Sequence, residues 1–110
     1  MTVILRDSSK VDSVTIHTTE GSSTAINMTD FSSGILMVTT DPGNVTVYVC
    51  DTEDGTYLAL TKADGSALDA LDTGTGNVAI PFPDEMFAAH FVKLKAASTI
   101  VTNAVVLLKG

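Results

Sequence analysis

The chain is poor in the residues that most often carry reactive or covalent chemistry. Its 110 residues include one cysteine, two histidines and no tryptophan, and only 5% of them are aromatic. Cys50 has no partner for an internal disulfide, so packing alone must hold the fold together. We therefore expect a reducing compartment, such as the bacterial cytoplasm.

Positive charge is also scarce. Six Lys and Arg stand against thirteen Asp and Glu, which gives a net charge of −7 and excludes a basic surface for nucleic acid. Residues 41–72 hold seven of the acids against Lys62 alone, so that segment carries −6 and the rest of the chain −1. We expect residues 51–72 to face solvent, where their charge limits self-association.

Long apolar runs are missing. The N-terminal trio Val3, Ile4 and Leu5 is too short for the apolar region of a signal peptide. The longest run covers only residues 104–108, far below the length that spans a bilayer. The sequence predicts a soluble intracellular protein with no membrane partner.

The residues that are present predict an all-β protein. Hydrophobic residues make up 45% of the chain and recur with a period of two, in about eight short stretches separated by turn residues. This pattern favours a single antiparallel β-sandwich, jelly-roll-like, although an immunoglobulin-like strand order fits the pattern equally well. We expect an N-terminal arm over residues 1–12 and the sandwich over residues 13–110. One short helical turn is predicted near residues 84–89, with Asp84 as its N-cap.

Two stretches are apolar at nearly every position, residues 35–38 and 104–108. Continuous apolar character is typical of central strands buried on both faces. A small sandwich has few such strands, so one outer face of these strands is a candidate contact with another subunit. The alternative is that loops cover both.

No arrangement of residues indicates catalysis. His17 and His90 are 73 positions apart on different predicted strands, and no serine lies in a nucleophile-elbow pattern. Cys50 lies opposite the valines of an alternating strand and is expected to be a partly buried, inert thiol. No glycine-rich phosphate loop is present. We expect neither enzymatic activity nor a cofactor.

The acidic turns do not predict a metal site. Residues 51–55 superficially resemble a calcium loop, but the glycine falls one place early and the flanking helices of an EF-hand are missing. Asp and Gly are the residues that turns require. Calcium binding by these acids remains the alternative, which calorimetric titration would test.

Two groups of apolar residues are candidate contacts with another protein or with other subunits of this chain. Val3, Ile4 and Leu5 form a small apolar arm that is able to dock onto a partner, or else a frayed tail. Phe82, Met86 and Phe87 form the second group, for which the alternative is that they plug one end of the core.

From residue 31 onward the chain resembles small β-sandwich proteins on the virions of tailed bacteriophages. The resemblance covers roughly 80 residues. It rests on the entry to the apolar strand at residues 31–34, the strand and hairpin at 45–57, the turn at 64–65, and the segments IPFPDEMF (80–87), HFVKL (90–94) and LLKG (107–110). Proteins of this type are capsid decoration (cement) or head-fibre-base proteins, often homotrimers seated on the major capsid protein lattice. The resemblance implies a structural role on the virion and no catalytic residues. It favours a homotrimer that binds the major capsid protein, with the two groups of apolar residues described above as contacts with the capsid or between subunits.

The hairpin and the following FVKL strand are also similar to discoidin-like modules, which bind sugars in loops at one end of a jelly roll. The chain departs from that pattern because it has no tryptophan, and Tyr48 and Tyr57 form no obvious stacking platform. A carbohydrate-binding module and a phage tail or neck protein are therefore the alternatives to a decoration protein.

Overall fold

The computed structural model describes residues 9–19, 22–39, 43–66, 71–72, 77–97 and 102–110. Within these residues the backbone forms eight strands and one five-residue 3₁₀ turn. The strands are β1 (Ser9–Ile16), β2 (Ile26–Asn27), β3 (Ser33–Val38), β4 (Val45–Cys50), β5 (Leu58–Ala59), β6 (Val78–Pro81), β7 (Phe91–Ala96) and β8 (Thr102–Lys109). The 3₁₀ turn, Asp84–Ala88, connects β6 to β7.

The strands form two four-stranded antiparallel sheets, ordered β1-β8-β3-β6 and β2-β7-β4-β5. Their pairings are nested, since β1 pairs with β8, β2 with β7, β3 with β6 and β4 with β5. This nesting is the strand order of a jelly roll, and it differs from the immunoglobulin order, in which the first two strands are neighbours. The predicted all-β sandwich is confirmed.

The core lies between the two sheets and is built from alternate residues of facing strands. In β4 and β7 the predicted alternation is confirmed, with valines, Leu94 and Ala96 pointing inward and Lys93 and Lys95 outward. Burial of one apolar face on each sheet is the main stabilising term of such a sandwich. The fully buried core side chains are Ile16, Ile26, Met28, Leu36, Val38, Val45, Met86, Val92, Leu94, Val106 and Leu108.

A buried serine joins the two sheets at one corner. Ser23 is 5% exposed; its Oγ accepts a hydrogen bond from the His17 backbone N–H at 3.0 Å and donates one to the Leu94 carbonyl. Beside it, the Ala96 N–H donates to the His17 carbonyl at 2.8 Å. These bonds connect the end of β1 to β7, so the corner between the two sheets is closed by hydrogen bonds.

Gly34 permits the close approach of β3 to β8. A Cβ at this position would lie 2.8 Å from both the Leu107 carbonyl oxygen and Leu108 Cδ2, and 3.1 Å from Phe82 Cδ2. Real Cβ atoms do not approach backbone atoms this closely. Glycine is therefore required here for the two strands to pair while Phe82 packs against them.

The strand β1 begins earlier than the sequence predicts. Residues 9–12 were assigned to the N-terminal arm because they are mostly polar, but in the structure they pair with β8, with Ser9 opposite Lys109 and Val11 opposite Leu107. The sheet therefore starts at Ser9, four residues before the first strand that the sequence predicts. Pairing with an apolar partner strand outweighs the weak β-propensity of these residues.

The 3₁₀ turn also differs from the prediction in detail. Asp84 was predicted as the N-cap, but the capping position is Pro83 and no side chain caps the turn. Asp84 and Glu85 instead occupy the first turn, where negative charge suits the exposed N–H groups.

Among the described residues, no helix has the length and apolar character needed to cross a bilayer.

The prediction that both apolar strands are buried on two faces is wrong for β3. Leu36 and Val38 are buried, whereas Ile35 is 39% and Met37 43% exposed. In β8, Val105 and Leu107 are half-buried. Neither strand has its outer face covered by a described part of the chain, and this uncovered side is the feature on which the site is built.

Candidate functional site

The outer side of the β1-β8-β3-β6 sheet carries a row of four apolar residues in register across all four strands. Val11 lies opposite Leu107, Leu107 opposite Ile35, and Ile35 opposite Pro81. Directly opposed residues in a sheet point to the same face, so the four side chains form one continuous row. No such row is visible in the sequence, because its members lie up to 96 positions apart.

A second row follows, two residues further along the strands. It runs from Ser13 through Val105 and Met37 to Ala79. Together the apolar members of the two rows define the outer apolar face of the sheet. Its residues are Val11, Ile35, Met37, Ala79, Pro81, Val105 and Leu107.

Exposure is concentrated on this face. The described residues include four exposed large hydrophobic side chains: Val11 at 71%, Ile35 at 39%, Met37 at 43% and Leu58 at 66%. Three of the four belong to the outer apolar face, and Leu58 lies alone on the edge strand β5. Single exposed apolar side chains are ordinary, whereas a contiguous apolar patch is often functional.

The outer apolar face holds no acidic residue, although the chain carries thirteen. In the described strands of this sheet the only charged side chain at an outward position is Lys109, which lies opposite Ser9 and Ser33 at one end. Lys10 and Asp12 have the opposite alternation and pair with each other, Nζ to Oδ2, at 3.0 Å. The face therefore differs sharply in charge from the rest of the molecule.

A shallow depression of about 610 Å³ lies at the Lys109 end of this face. The residues around it include the first apolar row, the serines and Lys109 at the end of the face, and Lys10 from the opposite alternation of β1. The Lys10 ammonium lies 5.9 Å from the ring centre of Phe31. The residues around the depression are Ser9, Lys10, Val11, Ser33, Gly34, Ile35, Pro81, Leu107, Leu108 and Lys109.

The outer side of the β2-β7-β4-β5 sheet is different, because lysines and tyrosines occupy it. Tyr57 is only 8% exposed, and its hydroxyl donates to the Glu53 carbonyl at 2.9 Å. Lys93 covers the Tyr57 ring, with Nζ 4.7 Å from the ring centre. A ring held in this way offers no open surface on which a sugar can stack.

The acidic loops lie beyond the ends of β4 and β5, on the second sheet. Asp51, Glu53, Asp54, Asp64 and Asp72 are exposed, as expected; Asp41 and Asp69 lie outside the described residues. Among the residues that the structure describes, no three His, Cys, Asp or Glu side chains are grouped so that they could hold a metal ion.

Asp64 accepts hydrogen bonds within its own turn. Its Oδ1 accepts hydrogen bonds from the Ser66 hydroxyl at 2.6 Å and from the Ser66 N–H at 2.9 Å. These two bonds, the hydroxyl first, hold the pKa of Asp64 below its usual value because they favour the charged form. The role is local turn formation.

The structure brings Cys50 and His90 to the same end of the second sheet, around a shallow depression of about 350 Å³ that also contains Leu58. The Cys50 thiol is half-buried, as predicted, and lies 3.6 Å from Asp51 Oδ1. His90 is exposed, and its Nδ1 lies 3.2 Å from the Asp51 carbonyl oxygen. These contacts stabilise the loop after β4. His17 lies elsewhere, at the end of β1.

Of the two groups of predicted contact residues, the structure describes only the second. Met86 is fully buried and Phe82 is 6% exposed, both within the core, and Phe87 packs against them half-buried. The Phe82 and Phe87 rings meet edge to face, 6.4 Å between centres. This is the arrangement of the alternative in which the three residues plug the end of the core. Val3, Ile4 and Leu5 lie outside the described residues.

Sequence reasoning found part of the outer apolar face and missed the rest. The two apolar strands were recognised as a candidate contact, and they supply Ile35, Met37, Val105 and Leu107. Val11 was missed because it lies in a polar stretch, although Val11 and Ser13 share the outward alternation of β1.

Comparison of the chain with known protein families, with curated proteins and with solved structures finds no match.

Proposed function

We propose that the chain is a structural protein of a tailed-phage virion, a capsid decoration or cement protein that binds the major capsid protein lattice and stabilises the head. It would be made in the cytoplasm of the bacterial host and act on the capsid surface, as a homo-oligomer, without a cofactor and without contact to nucleic acid or membrane. The resemblance of residues 31–110 to virion sandwich proteins supports this role.

The observation that carries the proposal is the outer apolar face. An apolar patch free of acids, on a chain of net charge −7, is suited to contact with protein. Jelly rolls serve as capsid and lectin domains, and the covered Tyr57 ring disfavours the lectin-like use. A rigid sandwich with a ready contact surface fits a mechanical role.

The mechanism is additive. Each copy bridges neighbouring capsid subunits, with the apolar arm at Val3, Ile4 and Leu5 as the proposed docking element. A standard interface buries about 800 Å² on each partner, and many such contacts must break together before the shell opens. The acidic loops on the second sheet face outward in this arrangement, where like charge keeps decorated particles apart.

The direct test uses empty heads from the phage that carries the gene, prepared from a mutant in which the gene is deleted. We expect the purified chain to co-sediment with these heads saturably and to raise the temperature at which they open. The variant Ile4→Asp should lose binding while its own melting temperature stays unchanged. Phe87→Ala changes a residue of the second predicted contact group. Its head binding, compared with that of Ile4→Asp, tests whether this second group also contacts the capsid.

Other outcomes would overturn the proposal. Binding to isolated tails instead of heads would identify a tail or neck protein. Saturable binding on a glycan array, with no affinity for heads, would identify a carbohydrate-binding module. A gene that lies apart from any major capsid protein gene would also count against a decoration protein.

A further inference from the structure

We propose that the outer apolar face is the surface through which two copies of this chain associate, face to face around a two-fold axis. This inference gives the homo-oligomer of the proposed function a two-fold interface in place of the trimer that the resemblance favours, but it rests on the sheet alone and holds whether or not the chain binds capsids. It names the interface, the symmetry and the residues at its centre.

The charge distribution selects a second copy as the occupant. Two chains of net charge −7 repel each other least when they meet through a surface without acids. The outward positions of the β1-β8-β3-β6 sheet are such a surface, and Lys109 is their only charge. A basic partner would be drawn instead to the acidic loops after β4 and β5, which belong to the other sheet.

The geometry of the face suits self-association. Four strands spaced about 4.8 Å apart, with two rows that together cover roughly 14 Å along the strands, give a projected area of about 270 Å². Packing one sheet face on another is the same contact that forms the core of each sandwich. In a two-fold contact the same patch serves both partners, so the apolar rows of one copy meet those of the other.

The size of the face predicts a weak dimer. The projected area of about 270 Å² is about a third of the area that each partner contributes to a standard interface, so the side chains around the face must supply the remainder. We expect a dissociation constant of about 10–1,000 μM for the free chain. Attachment to a common lattice would strengthen such a contact through effective concentration.

Met37 is the most informative residue of the face. It lies on the central strand β3, is 43% exposed and is directly opposite both Val105 and Ala79. Its unbranched thioether side chain adapts to an opposing surface. In a two-fold dimer every substitution occurs twice, so a charge introduced at Met37 is buried in both copies.

The test is sedimentation velocity of the full-length chain from about 10 μM to about 1 mM, for the wild type and two variants. Met37→Lys places an ammonium at the centre of the face. Leu58→Lys is the matched control, since Leu58 is more exposed, at 66%, and lies on the other sheet. We expect Met37→Lys to weaken association at least about tenfold and Leu58→Lys to change it less than about twofold. Equal melting temperatures would show that both variants are folded.

Salt separates this contact from a charge-mediated one. Apolar association of two acidic chains is expected to strengthen slightly at high salt, because screening reduces their repulsion. A head-to-tail contact between acidic loops and Lys109 would weaken instead.

A wild-type chain that stays at 11.4 kDa throughout the concentration range would overturn the inference. So would equal effects of the two variants, or a trimer that survives Met37→Lys. A wild-type chain that dimerises but does not bind heads would overturn only the proposed function.

Discussion

Leu107 on β8 lies directly opposite Ile35 on β3, and both side chains point away from the core. Their chain neighbours Leu36, Val106 and Leu108 are at most 1% exposed on the inner side. The two central strands of this sheet are therefore apolar on both sides, and among the described residues the exposed apolar side chains of β3, Ile35 and Met37, both lie on the outer side. The uncovered side supplies the proposed contact surface.

The Ser23 corner is expected to contribute measurably to stability. Ser23→Ala removes the acceptor of the His17 N–H and the donor to the Leu94 carbonyl, leaving both groups without that partner near the core. We expect the free energy of unfolding in urea to fall by about 1–3 kcal/mol. Ser22→Ala, at the exposed neighbouring serine, should change it by less than about 0.5 kcal/mol. Equal effects at the two positions would show that the corner is not stabilised by these bonds.

Met86 tests whether the segment after β6 is core or contact. Met86→Ala removes a fully buried side chain and should lower the free energy of unfolding by about 2–5 kcal/mol. Met37→Ala makes the same chemical change at a side chain that is 43% exposed, and should cost less than about 1 kcal/mol. Chemical denaturation of both variants at a concentration below dimerisation gives the comparison. If the Met86→Ala variant is as stable as the wild type, Met86 does not contribute to the core, and a role as a contact residue is favoured instead.

Gly34 is expected to reject any side chain. Gly34→Ala would place a Cβ against the Leu107 carbonyl oxygen, which belongs to a paired strand and cannot move without breaking the sheet. We expect a loss of about 1–3 kcal/mol in the free energy of unfolding. Ser33→Ala, at the exposed position next to it, is the control. A Gly34→Ala variant with unchanged melting temperature would show that β3 and β8 separate more easily than their register suggests.

The Asp64–Ser66 turn predicts a pH effect of known sign. The pKa of Asp64 is lowered in the folded chain by its bonds to Ser66, so the contribution of this turn is fully present above the ordinary pKa of Asp, and it is lost as pH falls through the lowered value. NMR titration of the Asp64 carboxyl carbon should show this lowered pKa. Ser66→Ala should move the pKa back toward the ordinary value, whereas Thr61→Ala should not. A titration unaffected by Ser66→Ala would contradict the assigned hydrogen bonds.

The alternating strands could be predicted from the sequence because their signal is local. The sequence predicts strands at residues 45–50 and 90–96, and β4 has the predicted ends while β7 begins one residue later, since valines and polar residues alternate cleanly and turn residues bound both strands. The sequence also predicts five-residue strands at 24–28 and 56–60, but β2 and β5 have two residues each, because the length of an edge strand depends on its partner. The polar start of β1 was missed for the same reason.

The candidate site could be predicted only in part. Apolar periodicity identifies β3 and β8 as unusual, but it does not say which strands lie beside them. The row from Val11 to Pro81 exists only through pairings between distant parts of the chain, which a single sequence does not reveal. Burial on two faces and exposure of one apolar face produce the same sequence pattern, so the structure was needed to distinguish them.

The central claim is that the outer apolar face is a contact surface between proteins, and methyl NMR on the unmutated chain tests it most directly. Ile35 and Met37 report on the face, and Leu58 is the exposed reference on the other sheet. As the protein concentration rises through the dissociation constant, the methyl signals of Ile35 and Met37 should shift or broaden while those of Leu58 remain constant. Unchanged Ile35 and Met37 signals across the range, or concentration-dependent changes at Leu58 alone, would contradict the claim.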